Sequence, residues 1–365
     1  MGKSQTVEPW NKANDSTGLG VDNVQQLQAV LLNGTYVTAN RCQNQDIFFA
    51  LRGGGGGTFG IIMEMSVTAH AEKAMEVLTL DLPGPDPSTA EKLLAALVAG
   101  ADRWASEGWG GYVLPAGGRA EQSSRVVMAT ALLDHEAAGE SIKPLMMLAD
   151  EVGGAGEAKL TSVSGFYEVV KGILDSELLE RSVSSGMAMS SRIIPREVFL
   201  GEDQKRRLSS MLSDIRSAGQ SNDASQMLIL MTAPTVYSRS LPASDEPDGP
   251  GASSVTPAWR NSLWHMIHLR RVDAAMTDPN VVREVFQNTH ETMNPLREFT
   301  PGGGAYQNEA DAFEPDPVGA FWGEKNYERL LEIQASLDPE NLLTVHQGVG
   351  WDREDARFGC YPVIQ

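Results

Sequence analysis

Five consecutive glycines, Gly53–Gly57, stand in the stretch RGGGGGTFG, which runs from Arg52 to Gly60. Glycine has no Cβ, so such a loop lets backbone N–H groups come close to a flat or phosphorylated ligand, or to a neighbouring piece of chain. The run is short and ends in Thr58 and Phe59, which is unlike a flexible linker. From the residues alone, a packed turn and a ligand contact remain two open interpretations.

Within this stretch, Gly55, Gly57 and Gly60 satisfy the spacing G-x-G-x-x-G. The dinucleotide-binding form of this motif requires a strand before it and a helix after it. Here the helical pattern NQDIFFALR precedes the glycines, and the strand pattern GIIMEMSVTAH follows them. The reversed order argues against a nicotinamide site, and the lack of a Gly-Lys-Ser/Thr ending argues against a nucleotide P-loop.

His265 and His268 raise the question of a metal site, because both lie in the strand-like segment AWRNSLWHMIHLRR. Residues three apart on a strand point to opposite faces, so these two cannot share an ion. The two cysteines, Cys42 and Cys360, have no zinc-binding spacing. We therefore expect no metal site.

The elements that must position these residues come in mixed order. Asn33-Gly34 predicts a hairpin with a two-residue turn and positive φ at both positions. An amphipathic helix is predicted over Ser88–Ser106, with Ser88 and Glu91 as a capping box, and another over Gly323–Leu337. Without a sustained βαβα alternation, the pattern favours an α+β fold with antiparallel sheet.

The composition limits the partners. The 365 residues include 48 acidic and 29 basic side chains, giving a net charge of −19, which disfavours nucleic acid. No run approaches the roughly 20 apolar residues of a membrane span. The N-terminal stretch MGKSQTVEPWNKANDSTG lacks the apolar region of a signal peptide, and the localisation is left unknown.

The segment DIFFALRGGGGGTFGIIMEMSVTAH closely resembles one found in the berberine-bridge-enzyme-like FAD-linked oxidoreductases. These belong to the vanillyl-alcohol-oxidase (PCMH-type) flavoprotein superfamily, and the resemblance is greatest to fungal members. Similar segments follow the family order along the chain: GLGVDNV (18–24), SSRIIPREVF (190–199), PAWRNSLWH (257–265), AYQNEAD (305–311) and FWGEKNYERLLEIQASLDPENLL (321–343).

The resemblance implies a two-lobed FAD-binding region and a substrate domain whose antiparallel sheet is backed by helices. On this pattern, residues 1–75 are the second FAD lobe, 76–300 the substrate domain, and 301–365 the C-terminal return to the FAD region. Family members carry a further N-terminal lobe with a His, often with a Cys, joined covalently to the flavin. No His or Cys of this sequence matches that attachment context, so we expect the lobe to be lacking here.

The resemblance also implies site residues. Tyr306 and Asn308 are expected beside the flavin ring as catalytic residues, with Tyr306 either accepting a proton or orienting substrate. A buried loop tyrosine with one hydrogen bond is the alternative. Trp264 and His265 are expected to line the substrate pocket; a structural, hydrogen-bonded histidine is the alternative for His265 as for His268. The implied cofactor-binding residues are Gly18, Gly20, Gly53, Gly54, Gly55, Gly56, Gly57, Thr58, Gly60, Ile61, Asn326 and Tyr327.

The function that this resemblance implies is oxidation of a sugar or secondary metabolite at a C–H bond next to oxygen or nitrogen. The hydride would pass to flavin N5, and O₂ would reoxidise the flavin. Two alternatives stay open: a flavin-free, redox-neutral catalyst or binding module on the same scaffold, and an inactive fragment. The expected partner is a small molecule, with self-association through the apolar surface that a missing lobe would expose.

Overall fold

The computed structural model gives the chain two antiparallel sheets. It describes residues 17–84, 86–116, 123–152, 156–174, 185–218, 225–232, 234–239, 241, 249, 251–273, 275–276, 278–361 and 364. Residues 1–16 lie outside the described residues. They include most of the N-terminal stretch in which the sequence predicts no signal peptide. None of the helices in the described ranges is long and apolar enough to cross a membrane.

The smaller sheet has the order β2-β1-β3. Its strands are β1 (Val24–Val30), β2 (Tyr36–Asn40) and β3 (Ile61–Val67). Helix α1 (Gln45–Leu51) leads from β2 into the glycine run, and β3 follows that run. The predicted order of helix, glycines and strand is confirmed.

The β1–β2 hairpin forms, but its predicted turn is wrong. Val30 pairs with Tyr36, and the Leu31 N–H donates to the Thr35 carbonyl at 2.9 Å, so the connection is longer than two residues. Gly34 has a φ of +81°, and Asn33 does not share this conformation. Because Leu31 is bonded to Thr35, three residues, 32–34, connect the strands instead of two. Only Gly34 in this turn has positive φ, as in three-residue hairpin loops that end in a bulge.

The larger sheet has the order β7-β4-β6-β5-β9-β10-β8, and every pair in it is antiparallel. Its strands are β4 (Met75–Leu82), β5 (Gly110–Leu114), β6 (Ser124–Thr130), β7 (Glu157–Val163), β8 (Ser185–Pro195), β9 (Ser225–Met231) and β10 (Ser262–Asp273). The remaining helices are α2 (Pro87–Ser106), α3 (His135–Val152), α4 (Phe166–Leu174), α5 (Glu202–Ala218), α6 (Thr235–Ser238), α7 (Pro279–Phe299), α8 (Pro317–Phe321) and α9 (Glu324–Leu337).

The main core lies where α2, α3, α5 and α7 pack on one face of the larger sheet. Helix α2 begins one residue before the prediction, and its N-cap is Asp86, whose carboxylate accepts the Ser88 N–H at 2.9 Å. Ser88 is therefore not the cap, because Pro87 already occupies the first helical position, where its missing N–H costs nothing.

The α+β prediction is confirmed, since both sheets are antiparallel and helices back the larger one on one face. The two sheets fall within residues 24–67 and 75–273. The domain boundaries at residues 75 and 300 remain a prediction.

Candidate functional site

Strand β10 separates two environments. Trp264 is 1% exposed and packs edge-on against Phe199, at 4.8 Å between ring centroids, within the helix-covered core. His265, the next residue, points to the opposite face, where its ring lies 5.9 Å from that of Tyr306. Of the two residues predicted to line a substrate pocket, the structure brings only His265 to Tyr306.

His268 lies on the same side of β10 as Trp264. Its Nε2 is 2.7 Å from the Ser225 hydroxyl of the neighbouring strand. Burial, with a smaller contribution from the charge of Arg270, lowers the pKa of His268 to about 4. A neutral, buried imidazole bonded to a serine is structural, and the described residues contain no cluster of His, Cys, Asp and Glu suited to a metal ion.

Tyr306 is held on the other face of the large sheet. It is 7% exposed and belongs to a cluster with Leu19, Val21, Ile193, Val255 and Trp259. The Asn308 amide donates to the Tyr306 hydroxyl oxygen at 2.7 Å. The two residues predicted to be catalytic are thus joined by a hydrogen bond.

The segment that carries Tyr306 is hydrogen-bonded to β8 just before the tyrosine. The Ile193 N–H donates to the Gly304 carbonyl at 2.8 Å, and the Ala305 N–H donates to the Ala320 carbonyl at 3.0 Å. A Cβ at Gly303 would lie only 2.6 Å from the Ile193 carbonyl oxygen. These backbone contacts fix the point from which Tyr306 extends.

Asp311 anchors the same segment after Asn308. Its Oδ2 lies 2.6 Å from Arg297 and 2.8 Å from His290 Nδ1, both on α7, and accepts from the Ser190 hydroxyl at 3.3 Å. Burial alone would raise the pKa of Asp311, but the His290 hydrogen bond and the Arg297 charge together hold it below its ordinary value. This charged anchor was not identified from the sequence.

The glycine run divides into two parts. Gly53, Gly54 and Gly60 are buried against their own chain: a Cβ at these positions would approach the Val255 nitrogen to 2.5 Å, the Phe59 ring to 2.5 Å and the Val30 carbonyl to 2.8 Å, respectively. At these three positions the glycines serve internal packing.

Gly55–Gly57 form the tip of the loop, where Gly55 is half-buried and Gly56 and Gly57 are exposed. Gly55 and Gly57 have φ values of +115° and +79°, and a Cβ at Gly57 would meet nothing within 4 Å. The side-chain amide of Gln307 lies 3.2 Å from the Cβ position of Gly55, and the Thr58 hydroxyl donates to the Gly55 carbonyl at 2.8 Å. The tip therefore lies directly beside the segment that carries Tyr306 and Asn308.

Arg52 secures the base of the glycine loop, a role that sequence reasoning missed. Arg52 is 1% exposed. Its guanidinium donates to the carbonyls of Val21 (3.1 Å), Gly251 (2.6 Å) and Ala252 (2.5 Å), and stacks over the Phe48 ring at 3.9 Å. Its position directly before the glycines was the only signal in the sequence. With the Phe48 carbonyl, which accepts from Arg52 Nε at 3.3 Å, four carbonyls and an aromatic face compensate its burial.

The C-terminal return reaches the same loop from α8 and α9. The Trp322 indole N–H donates to the Gly53 carbonyl at 3.0 Å, and the Asn326 amide donates to the Val255 carbonyl at 3.0 Å. The Tyr327 hydroxyl accepts the Gly350 N–H at 3.3 Å, and its ring is 5.5 Å from that of Trp322. The interactions of Asn326 and Tyr327 in the structure are thus with their own chain.

Gly18, Gly20 and Ile61 are the remaining predicted cofactor residues. Gly18 has a φ of +80°, and its Cβ position is 2.6 Å from Asp22, whose carboxylate pairs with Arg260 at 2.6 Å. Gly20 is half-buried at the start of the next turn, and Ile61 is 67% exposed at the start of β3. The glycine loop thus contacts the Tyr306 segment through Gln307 and the C-terminal return through Trp322.

Comparison with known proteins shows which proteins the chain resembles. The family model described as berberine and berberine like matches residues 305–350, which contain Tyr306, Asn308, Asn326 and Tyr327. An FAD-linked oxidoreductase of Aspergillus flavipes is 31% identical over 92% of this chain and 56% of its own length. A second, of Pyricularia oryzae, is 27% identical over 95% of this chain and 56% of its own length.

Among solved structures, a VAO-type flavoprotein of Myceliophthora thermophila superposes with a TM-score of 0.78 at 24% identity, covering 95% of this chain and 61% of that one. A xylooligosaccharide oxidase from the same organism, in complex with xylobiose, gives 0.65 at 21% identity, covering 92% and 68%. The chain spans a little over half the length of the curated relatives that it matches, 56% for the two above.

Proposed function

We propose that the chain is a berberine-bridge-enzyme-like FAD-linked oxidoreductase and that the protein uses FAD to oxidise a small molecule. The bond oxidised is a C–H next to oxygen or nitrogen, in a sugar or a secondary metabolite, and O₂ reoxidises the flavin. Oligosaccharide oxidases among the fold neighbours support a sugar as one substrate class.

The observation that carries this proposal is the convergence of Gly55–Gly57, Gln307 and the Tyr306–Asn308 pair. At the tip of the glycine loop, no atom of the chain lies within 4 Å of the Cβ position of Gly57. The backbone of Gly55 and Gly57 has positive φ, a conformation that residues with side chains disfavour. Gln307 Oε1 is buried and has no hydrogen-bond partner within the described residues. A flat ligand edged with N–H and hydroxyl groups fits these features, and FAD is such a ligand.

When bound, FAD supplies the acceptor for the substrate hydride. The backbone of Gly55–Gly57 would hold polar groups of the cofactor, with the Gln307 amide oxygen as a hydrogen-bond acceptor. Because Asn308 donates to the Tyr306 oxygen, the phenol O–H can be directed towards the substrate. Trp259 and His265 pack edge-on against the tyrosine ring and exclude water from that side.

The test is reconstitution of the purified protein with FAD. We expect a yellow protein that releases FAD on denaturation and consumes O₂ with at least one member of a panel of xylo-, cello- and chito-oligosaccharides and benzylic alcohols. A colourless protein that cannot be loaded with FAD would overturn the proposal for this polypeptide. Binding of a panel compound without flavin would support the alternative of a binding module.

A substitution pair tests the role of Tyr306. Tyr306→Phe should lower turnover and leave the flavin content unchanged, since the ring packing is kept and only the hydroxyl is lost. Tyr36→Phe is the matched control, because the Tyr36 hydroxyl lies on the exposed hairpin and bonds only Gln28 among the contacts described. Unchanged turnover in Tyr306→Phe would remove Tyr306 from the mechanism.

A further inference from the structure

A cavity opens beside β8, at the edge of the larger sheet. Its volume is about 650 Å³, which lies within the range of roughly 300–1,000 Å³ that ligand pockets occupy. Arg192 of β8, Arg297 of α7, Glu314 and the Gly302–Gly303 turn line it. None of the residues predicted to bind the cofactor, to be catalytic or to line the substrate pocket is among its described lining residues. We call this space the Arg192 cavity.

Arg192 is a buried cation, 6% exposed, whose hydrogen-bonding capacity the described residues do not fill. Because Ile193 packs in the cluster of Tyr306, Arg192, its neighbour on β8, points to the opposite face of the sheet, towards α7. There its Nε donates to the Thr300 hydroxyl at 3.0 Å, and its Nη2 donates to the Thr300 carbonyl. Nη1 donates to no atom of the described residues, and no carboxylate among them lies within 4 Å of the guanidinium.

Glu314 supplies an acceptor in the same cavity. The residue is 4% exposed, and its Oε2 accepts from Arg297 Nε at a long 3.4 Å. Its Oε1 accepts from no group of the described residues. Burial raises the pKa of this carboxyl, although the charges of Arg297 and Arg192 oppose the rise. The Arg192 cavity therefore contains one unfilled donor and one unfilled acceptor, both on buried side chains.

The charges of the lining decide which kind of molecule fits. An anion could pair with Arg192 but would meet the three acidic residues of the lining, which are Glu298, Glu314 and Asp316. A cation would meet Arg192 and Arg297. A hydroxyl group has one donor and two acceptor positions, so a neutral molecule with several hydroxyls can accept from Arg192 and donate to Glu314 at once.

The apolar part of the lining comes from Pro257, Ala258, Pro301, Pro315 and Ala320. Such a wall suits the C–H groups of a sugar ring. We propose that the Arg192 cavity binds a neutral polyhydroxylated molecule of the size of a mono- or disaccharide, at a site separate from the Tyr306–Asn308 pair. Arg192 donates to one hydroxyl of this molecule, and Glu314 accepts from another. The inference does not rest on the proposed function, because no predicted flavin-binding residue takes part.

The first experiment locates a bound sugar by NMR, using the full chain with isotope-labelled glycine before FAD is added. The amide resonances of Gly302 and Gly57 are assigned by their loss in Gly302→Ala and Gly57→Ala. Titration with xylobiose or cellobiose should shift the Gly302 resonance in a saturable way and leave that of Gly57, at the tip of the glycine loop, unchanged. The same shift is expected after FAD is added. No shift of Gly302 with either sugar, or a larger shift of Gly57, would overturn the proposal.

The second experiment tests Arg192 by calorimetric titration with the sugar that shifts Gly302. Arg192→Met should bind it about tenfold more weakly or worse, because a hydrogen bond from a charged donor is lost. Arg125→Met is the matched control: Arg125 lies on β6 of the same sheet, pairs with Asp81 at 2.8 Å and is not among the described lining residues. An affinity of Arg192→Met within about twofold of the wild type would overturn the role of Arg192 as donor.

Gly302→Trp keeps the proposal testable if Arg192→Met does not fold. A Cβ at Gly302 meets no atom within 4 Å and its φ is not positive, so the new side chain adds bulk to the lining without straining the backbone. It should abolish binding, whereas Gly201→Trp, outside the cavity and with its nearest Cβ contact at 3.6 Å, should not. Unchanged binding in Gly302→Trp would overturn the site. Displacement of the sugar by succinate would contradict a neutral ligand and indicate a carboxylate instead.

Discussion

Gly53 and Gly57 are both glycines of one loop with positive φ, yet the structure predicts very different costs for adding a methyl group to them. At Gly53, φ is +135°, and the new Cβ would lie 2.5 Å from the Val255 nitrogen and 2.7 Å from the Ser254 carbonyl carbon. Both neighbours are backbone, so they cannot rotate away. At Gly57, φ is +79° and the Cβ meets nothing within 4 Å.

The magnitudes follow from these contacts. The left-handed conformation costs an alanine about 1–2 kcal/mol at either position. Overpacking against fixed atoms adds about 1–3 kcal/mol at Gly53 only. We therefore expect Gly53→Ala to lower the free energy of unfolding by about 2–5 kcal/mol, and Gly57→Ala by about 1–2 kcal/mol.

The measurement is urea unfolding of the two variants and the wild type, followed by far-UV circular dichroism and compared at equal slope m. Equal destabilisation in Gly53→Ala and Gly57→Ala would refute the division of the run into packed and open glycines. Flavin titration adds a second comparison under the proposed function. Gly57→Ala should weaken FAD binding while the protein stays folded, because its methyl group stands on the open surface.

Three further outcomes are expected. Arg260→Met should lower the free energy of unfolding by about 3–5 kcal/mol, because the Asp22 carboxylate, whose side chain is 3% exposed, loses its bidentate partner. In urea unfolding, the double variant Arg260→Met with Asp22→Asn should recover part of this loss. The pKa of His268 is lowered from 6.5 to about 4 in the folded protein, so the unfolded chain takes up the proton first as the pH falls. The free energy of unfolding should therefore fall by about 3 kcal/mol between pH 6.5 and pH 4. The same pH series on His268→Gln should show a shallower decline, and identical declines would contradict the prediction. The edge strand β3 exposes Met63 by 60% and Met65 by 46%, so we expect self-association that Met63→Lys reduces in sedimentation velocity, and a monomeric wild-type chain at all concentrations would contradict this.

Elements with strong local signals could be predicted from the sequence. Helix α2 followed from its apolar periodicity, and the β1–β2 hairpin from Asn33-Gly34. The details of their ends were wrong, because Pro87 moved the cap of α2 to Asp86 and a bulge lengthened the hairpin turn. Such ends depend on single hydrogen bonds, which periodicity does not report.

The sequence by itself carried the family resemblance, because the similar motifs stand in order from Gly18 to Leu343, and it pointed to the glycine run, Tyr306 and Asn308. Only the tertiary structure decided which glycines pack inward, placed Trp264 away from Tyr306, and set His265 against Glu309. The physical reason is that these facts depend on contacts between residues far apart in the chain. Side-chain direction on β10 and close backbone approaches arise only once the strands have paired and packed.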